Sequence, residues 1–598
     1  MATATIQNSV VIERNVMVPM RDGVRLATDV YRPDKPGQFP VLLQRLPYGK
    51  QILDRVFLDP TQTAQRDYVV LVQDSRGRFD SEGEWYPFHC EINDGYDAVE
   101  WAAAQPWSNG KVGMFSGSYI GATQWLAAIA QPPHLVTMVP ATATSDFHDS
   151  WVYHTGGAFD LIFNIGWAIA VSGNTAPRLG IKDPTVEQAG ATLAAMGERM
   201  AQDPAAAMAT LEELRSILQP LFSFRPLREL PSLKRLAPWF TDWIDHPEAD
   251  PYWQSINFAA QYNKVHTPAL HITGWYDVFL GGSIANYLGM IKHGPTPAVR
   301  RGQKLIIGPW YHGPFTPQTT RIGEVDFGPQ AGIDFTAVQW RWFDHWLKGV
   351  NTGIMDGAPI RLFVMGDNAW RNEWEWPLAR TQWTRYYLHS RGQANTLTGD
   401  GTLATQPPEA EKPDRFTYDP RDPVPTCGGC LLPIGAAPGM FDQREVEARP
   451  DVLVYTSPPL SEDVEVTGPV TVELWASTSA PDTDFTAKLV DVYPDGRAMN
   501  LCEGIIRARY RASQETPSLV TPGAIYPFRI DLWATSTVFK VGHRIRLEIS
   551  SSNFPHFEPN PNTGHALGQD DILERADQEV FHDARHPSHI MLPVIPRS

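Results

Sequence analysis

The sequence predicts an α/β protein: a mostly parallel sheet covered on both faces, interrupted by a helical insertion and followed by an all-β region. Three observations carry this. Over the first part of the chain, short apolar runs alternate with helix-forming stretches. From about Ser145 to Asp245 the strand patterning disappears. After Gly357 short strand-like runs return, now separated by turn-rich stretches with little helix between them.

Val16 to Met20 and Val24 to Tyr31 read as strands around the turn Arg21-Asp22-Gly23. Val41 to Arg45 is a third strand. Tyr68 to Gln73 is a fourth, apolar on both faces as in a covered sheet. Asp94 to Gln105 reads as a helix stopped by Pro106. Lys111 to Phe115 and Leu135 to Pro140 are the next strands. In the insertion, Pro184 to Met200 and Pro204 to Leu218 are Ala-rich and each begins with proline after aspartate, a helix-start signal. The sheet resumes at Ala269 to Thr273 and Lys304 to Ile307, with helices at Ser283 to Lys292 and Phe335 to Lys348. The later runs are Ile360 to Met365, Thr384 to His389, Val452 to Thr456, Val470 to Leu474, Thr486 to Val492, Tyr526 to Leu532 and His543 to Ser550, which suit a sandwich or jelly roll.

A chain of 598 residues exceeds one core, so several domains are expected. With 42% hydrophobic and 20% charged residues the composition is that of a globular protein. A net charge of −17 argues against nucleic acid and anionic membranes as partners. Met1 to Arg14 carries no secretory pattern and no apolar run is long enough to span a membrane, so a cytoplasmic location is expected. Four cysteines are no disulfide framework, and Cys427-Gly428-Gly429-Cys430 lacks the second pair or spaced histidines of a zinc site.

The chemistry centres on Val112-Gly113-Met114-Phe115-Ser116-Gly117-Ser118-Tyr119-Ile120-Gly121. A strand ends in small residues and a helix-forming stretch follows, the layout of a nucleophile elbow. Ser118 is the candidate nucleophile. Ser116 is its rival, with bulky Met114 and Phe115 where the turn needs small residues. A serine needs a base, and the base an orienting carboxylate; in α/β-hydrolases they follow in the order Ser, Asp or Glu, His. Two later strands run into Gly274-Trp275-Tyr276-Asp277 and Gly308-Pro309-Trp310-Tyr311-His312, so the expected triad is Ser118, Asp277 and His312. His271, inside a strand, is the weaker base. For the oxyanion, the backbone N–H of Tyr119 is one expected donor, and Tyr48 in Leu46-Pro47-Tyr48-Gly49 offers a phenolic O–H.

These motifs resemble those of the cocaine esterase family, a hydrolase group allied to the X-prolyl dipeptidyl peptidases. The resemblance accounts for Tyr119 and the late Gly121 of the elbow; only Ser116 departs, where the family has glycine. It extends to Leu46-Pro47-Tyr48, to the aspartate and histidine motifs, to Trp253-Gln254-Ser255-Ile256, and to Asp484-Phe485-Thr486-Ala487-Lys488-Leu489 and Ser550-Ser551-Ser552-Asn553-Phe554-Pro555. It implies a discontinuous α/β-hydrolase domain (residues 1–144 and 246–356), a helical cap (145–245) and a C-terminal jelly roll (357–598). It further implies an aromatic acyl pocket in which Trp167, Phe279 and, with the segment Trp151 to Gly157 one residue out of step, Trp151 take part. Leu431 and Leu432 resemble a loop beside that pocket, where Cys427 and Cys430 are departures.

The expectation is therefore a serine carboxylester hydrolase working through an acyl-enzyme on a small-molecule ester with a flat, uncharged acyl group. No metal or organic cofactor is needed, and a homodimer is left open. The alternatives are an X-prolyl peptidase or α-amino-acid ester hydrolase, an amidase using the same triad, and a carbohydrate-binding protein built on the β region. A substrate ammonium needs carboxylates. Val278-Phe279-Leu280-Gly281-Gly282 supplies none after Asp277, which leaves cap acids such as Asp146 or Asp160.

Overall fold

The computed structural model describes residues 3–7, 9–51, 58–200, 204–313 and 319–597; part of the stretch read for a leader, residues 1–2 and 8, lies outside them. Eleven strands form the first sheet. They are β1 (Thr3–Gln7), β2 (Val10–Pro19), β3 (Arg25–Pro33), β4 (Phe39–Leu46), β5 (Val69–Asp74), β6 (Ser108–Gly117), β7 (Leu135–Ala141), β8 (Leu270–Tyr276) and β9 (Lys304–Tyr311), joined, after the small hairpin β10 (Arg321–Ile322) and β11 (Val325–Asp326), by β12 (Ile360–Val364) and β13 (Ala369–Glu373). The spatial order is β1-β2-β3-β5-β4-β6-β7-β8-β9-β12-β13. From β5 to β12 every pairing is parallel, and β1 to β3 and β13 add antiparallel edges.

The parallel strands are buried along nearly their whole length, because helices cover both faces. Among the covering helices are α1 (Pro60–Ala64), α2 (Glu91–Ala103) and α3 (Tyr119–Ile129). Between β7 and β8 the chain leaves the sheet. It forms α4 (Leu161–Arg178), α5 (Pro184–Met200), α6 (Pro204–Phe222), α7 (Pro231–Leu236), α8 (Pro238–Asp245) and α9 (Pro251–Gln254). The helix starts expected at Pro184 and Pro204 are where the prolines put them. Helix α4 has no counterpart in the sequence patterning for a physical reason: it is buried on almost every side, so it has no polar face to give a period. Back at the sheet come α10 (Leu280–His293), α11 (Pro297–Arg301) and α12 (Phe335–Lys348), the last with the expected limits.

One expected placement differs. The run from Ile360, read as the first strand of the C-terminal β region, pairs parallel to β9 and extends the first sheet. Helix α12 is the crossover that parallel pairing requires, and strand patterning does not reveal which sheet a strand joins. The C-terminal strands form a second, twelve-stranded and almost wholly antiparallel sheet system that spans Gln382 to Ile595. The two systems touch where Met365 bridges Thr537 and where the Tyr276 hydroxyl donates to the carbonyl of Asn500 at 3.0 Å. No helix among the described residues is long and apolar enough to cross a membrane.

Candidate active site

The ends of β6, β8 and β9 converge at the C-terminal edge of the parallel strands, where open α/β sheets bind ligands. Ser118 sits at the sharp turn from β6 into α3 with φ 61° and ψ −133°, a conformation that costs an L-residue energy and exposes the side chain at the tip. Two backbone bonds hold the turn, from the Ser118 N–H to the carbonyls of Ala141 and Thr142, each 3.1 Å. Gly121 is needed one turn on: a Cβ there would lie 2.7 Å from the Ala143 Cβ and 2.9 Å from the Ala141 oxygen. This explains the late glycine. Ser116, at φ 100°, is buried, and its hydroxyl accepts a 3.2 Å bond from Gln44, so it faces into the sheet rather than the site.

His312 Nε2 lies 3.0 Å from Ser118 Oγ. Its Nδ1 lies 3.2 Å from both carboxylate oxygens of Asp277. Asp277 is fully buried and also accepts a 2.7 Å bond from the Phe279 N–H, which fixes the carboxylate against the turn. The two strand-end motifs interlock because Gly274 has no side chain; a Cβ there would lie 2.2 Å from the Trp310 oxygen. His271 is elsewhere: it bonds Gln303 at 3.0 Å in the core, and burial pushes its imidazole down to about 4.

Tyr48 follows β4 and faces the same point. Its phenol oxygen accepts a 2.9 Å bond from the Trp167 indole N–H, and the Ser118 side chain lies close enough to bear on it. With the oxygen occupied by the indole, the phenol proton is free to point toward the serine. Burial pushes this phenol up to about 12, so it stays a neutral donor at ordinary pH. Tyr119 opens α3, so its amide belongs to the first helical turn, whose N–H groups have no intrahelical acceptor and carry the positive end of the helix dipole. The Tyr119 phenol points away from the serine. It accepts from the Phe88 N–H at 3.0 Å and donates to Glu91 at 3.2 Å, tying α3 to α2.

Three expected pocket residues lie together beside the imidazole. The Phe279 ring meets His312 edge-on at 5.1 Å, stacks on Trp151 at 4.7 Å, and Trp151 meets Trp167 edge-on at 5.6 Å. Phe163 joins them, 5.3 Å from Trp151 and 5.4 Å from Phe279; helix α4, which leaves no periodic signal in the sequence, carries it, so sequence reasoning misses it. The Trp151 indole N–H is buried without a hydrogen-bond partner. Leu432 is part-buried against the same cluster, next to the fully buried Leu431. The cap acids are engaged elsewhere. Asp160 caps α4 through the Phe163 N–H and faces His556 at 3.7 Å, and Asp146 accepts from Asn257 at 2.7 Å. All described cysteines are free; the Cys430 thiol donates to the Trp275 carbonyl at 3.4 Å.

The sheet order and the elbow define an α/β-hydrolase fused to a C-terminal β domain. The X-Pro dipeptidyl-peptidase (S15 family) model matches residues 22–314, and the model of the X-Pro dipeptidyl-peptidase C-terminal non-catalytic domain matches residues 352–591. Cocaine esterase of Rhodococcus sp. (strain MB1 Bresler) is 41% identical over 599 residues, covering 98% of this chain and 99% of that one. The chain belongs to the cocaine esterase family of serine ester hydrolases. Among solved structures, an α-amino acid ester hydrolase superposes with a TM-score of 0.78 at 25% identity, covering 98% of this chain and 97% of that one. An aminopeptidase from a marine sediment archaeon, Thaumarchaeota archaeon, gives 0.77 at 25% identity, covering 100% and 97%.

Proposed function

We propose that this serine ester hydrolase acts on carboxylic esters with an aromatic or otherwise bulky, uncharged acyl group, through an acyl-enzyme on Ser118. His312 Nε2 takes the Ser118 proton as Oγ attacks the ester carbonyl, while Asp277 holds the imidazole and balances its developing charge. The oxyanion forms between the Tyr48 hydroxyl and the Tyr119 N–H. His312 then protonates the departing alcohol, and water, deprotonated by the same imidazole, releases the acid. The same reading divides the chain into an α/β-hydrolase unit (1–144 and from 246 through β13, which ends at Glu373), a cap (145–245) and a jelly roll from β14 (Gln382–His389) onward.

The observation that carries the proposal is the unbroken line from Asp277 through His312 to Ser118, with the Tyr48 phenol beside the serine. The acyl preference rests on Phe279, Trp151 and Trp167 at the imidazole edge, flat apolar surfaces suited to an aryl group. Against an ammonium-bearing substrate stand the engagement of Asp146 and Asp160 and the buried, apolar Val278, Phe279 and Leu280 behind Asp277.

The test compares the protein with Ser118→Ala on a benzoyl ester, a short acyl ester and an aminoacyl-prolyl anilide. Benzoyl ester turnover should be highest, and the variant should lose on the order of 10⁵–10⁶ in kcat. Unchanged ester turnover in the variant would sink the nucleophile assignment, and preference for the anilide would replace the esterase reading with a peptidase.

A further inference from the structure

Arg78 is a buried cation, 2% exposed, that the relay does not use. Among the described residues no carboxylate lies within ion-pair distance of it. Its donors go to neutral acceptors instead: Nε to the Pro47 carbonyl at 2.9 Å, Nη1 to the Thr175 hydroxyl at 2.9 Å, and Nη2 to the Val171 carbonyl at 2.8 Å. Pro47 immediately precedes Tyr48. Val171 and Thr175 belong to α4, the helix that carries Trp167. The guanidinium therefore spans the two segments that meet at the Tyr48 hydroxyl.

A second route leads to the same atom. The guanidinium carbon lies 4.5 Å over the Trp85 ring, and Trp85 packs at 5.8 Å against Trp167, whose N–H bonds the Tyr48 oxygen. The loop around Arg78 is laced to α4 beyond the arginine as well, by the Phe79 N–H to Asn174 at 3.1 Å and by Arg178 to the Phe79 carbonyl at 2.7 Å. On the other side the Ser75 N–H holds the Leu46 carbonyl at 2.9 Å, and the Lys50 N–H holds Asp74 at 2.8 Å. Burying a guanidinium without a carboxylate is costly, and that cost lowers its proton affinity to about 10, which still leaves it charged at neutral pH. A methionine-like side chain would fill the space without that cost. The planar, five-donor fork is what can hold three acceptors from two segments at once.

We infer that Arg78 is a positioning residue for the oxyanion: it clamps Pro47 to α4 and so fixes the Tyr48 hydroxyl over Ser118. This rests on the proposed role of Tyr48. A donor placed in advance stabilises the developing charge without reorganising, so loosening the clamp should slow the chemical step and leave ground-state binding alone.

The experiment uses the full chain with Arg78→Met, Arg78→Lys, Tyr48→Phe and the Arg78→Met/Tyr48→Phe pair. It measures kcat and KM on a benzoyl ester, and inhibition by phenylboronic acid, which forms a tetrahedral serine adduct, against benzoate. Tyr48→Phe should lower kcat about 100-fold. Arg78→Met should lower it about tenfold with KM unchanged, weaken phenylboronate by the same factor and leave benzoate alone. Arg78→Lys should recover part of the loss, and the double variant should equal Tyr48→Phe. Wild-type kcat in Arg78→Met, a loss that appears in KM, or a loss that multiplies with that of Tyr48→Phe would overturn the inference. If Tyr48→Phe keeps full turnover, the oxyanion reading falls and takes Arg78 with it; if only Arg78→Met is silent, Arg78 falls alone. Should Arg78→Met fail to fold, Thr175→Val removes one acceptor and should lower kcat about threefold with KM unchanged; no change in kcat would also overturn the inference.

Discussion

The relay and the aromatic wall that faces it are built in opposite ways. Ser118, Asp277 and His312 stand at the ends of β6, β8 and β9, within a run of four adjacent strands of one sheet, and short turns fix them. The wall comes from distant segments: Trp151 from an irregular turn after β7, Phe163 and Trp167 from α4, Phe279 from the start of α10. Local backbone geometry sets the relay. Long-range packing sets the wall. The relay should therefore be all-or-none under mutation, while the wall should respond in degrees and through its supports.

The largest expected effect breaks the relay while leaving its shape. Asp277→Asn keeps the size of the side chain but removes the charge that stabilises an imidazolium, and it favours the wrong imidazole tautomer. A fall of about 10⁴ in kcat is expected, with KM and thermal stability close to those of the parent. A loss below about tenfold, measured by steady-state kinetics on the same ester, would mean that the carboxylate does not orient the base.

A smaller effect tests the wall. Trp151 stacks on Phe279 and is 2% exposed, so Trp151→Ala opens space on the acyl side and removes the plate behind Phe279. The benzoyl ester should lose about tenfold in kcat/KM relative to a short acyl ester, and stability should fall by about 3 kcal/mol. Equal losses on both esters would place Trp151 in the scaffold and not in acyl recognition.

The same contrast decides what can be read from sequence. The relay is legible because apolar runs break at Ser118, Asp277 and His312 in the chain order that a hydrolase uses. The Tyr48 hydroxyl is legible as a candidate, but its indole partner is not, since that pairing depends on how α4 packs. Helix α4 itself is missed because burial on nearly all sides erases the amphipathic period, and Phe163 goes with it. Trp151, Trp167 and Phe279 enter through resemblance to the family rather than through spacing. Ser116 is an anomaly in the sequence; in the fold its hydroxyl is buried and accepts from Gln44. Arg78 carries no signal, because a lone arginine in a loop reads as solvated until the loop is seen beneath a helix.

The smallest effect concerns how the wall is held. The N-terminus of α4 rests on the C-terminal β domain through buried charges: His556 Nδ1 lies 3.1 Å from Glu503, and its Nε2 lies 3.7 Å from Asp160, the α4 cap. Burial alone would discharge this imidazole, but the two carboxylates outweigh it and raise its affinity for a proton to about 9, from 6.5. His154, which also faces it, is pushed down to about 4 by burial and stays neutral. A group whose proton is held more tightly in the folded state adds stability below its unfolded value, and that stability is lost as pH rises through the folded value. Between pH 6.5 and 9 the protein should lose about 2–4 °C more in melting temperature than His556→Asn, in which position 556 no longer titrates. Ester turnover below the melting range should not follow the same curve, because the relay does not rest on this seam. Parallel melting curves for the two proteins would show that the seam holds α4 without its charge, and would remove the one pH-sensitive support assigned to the wall.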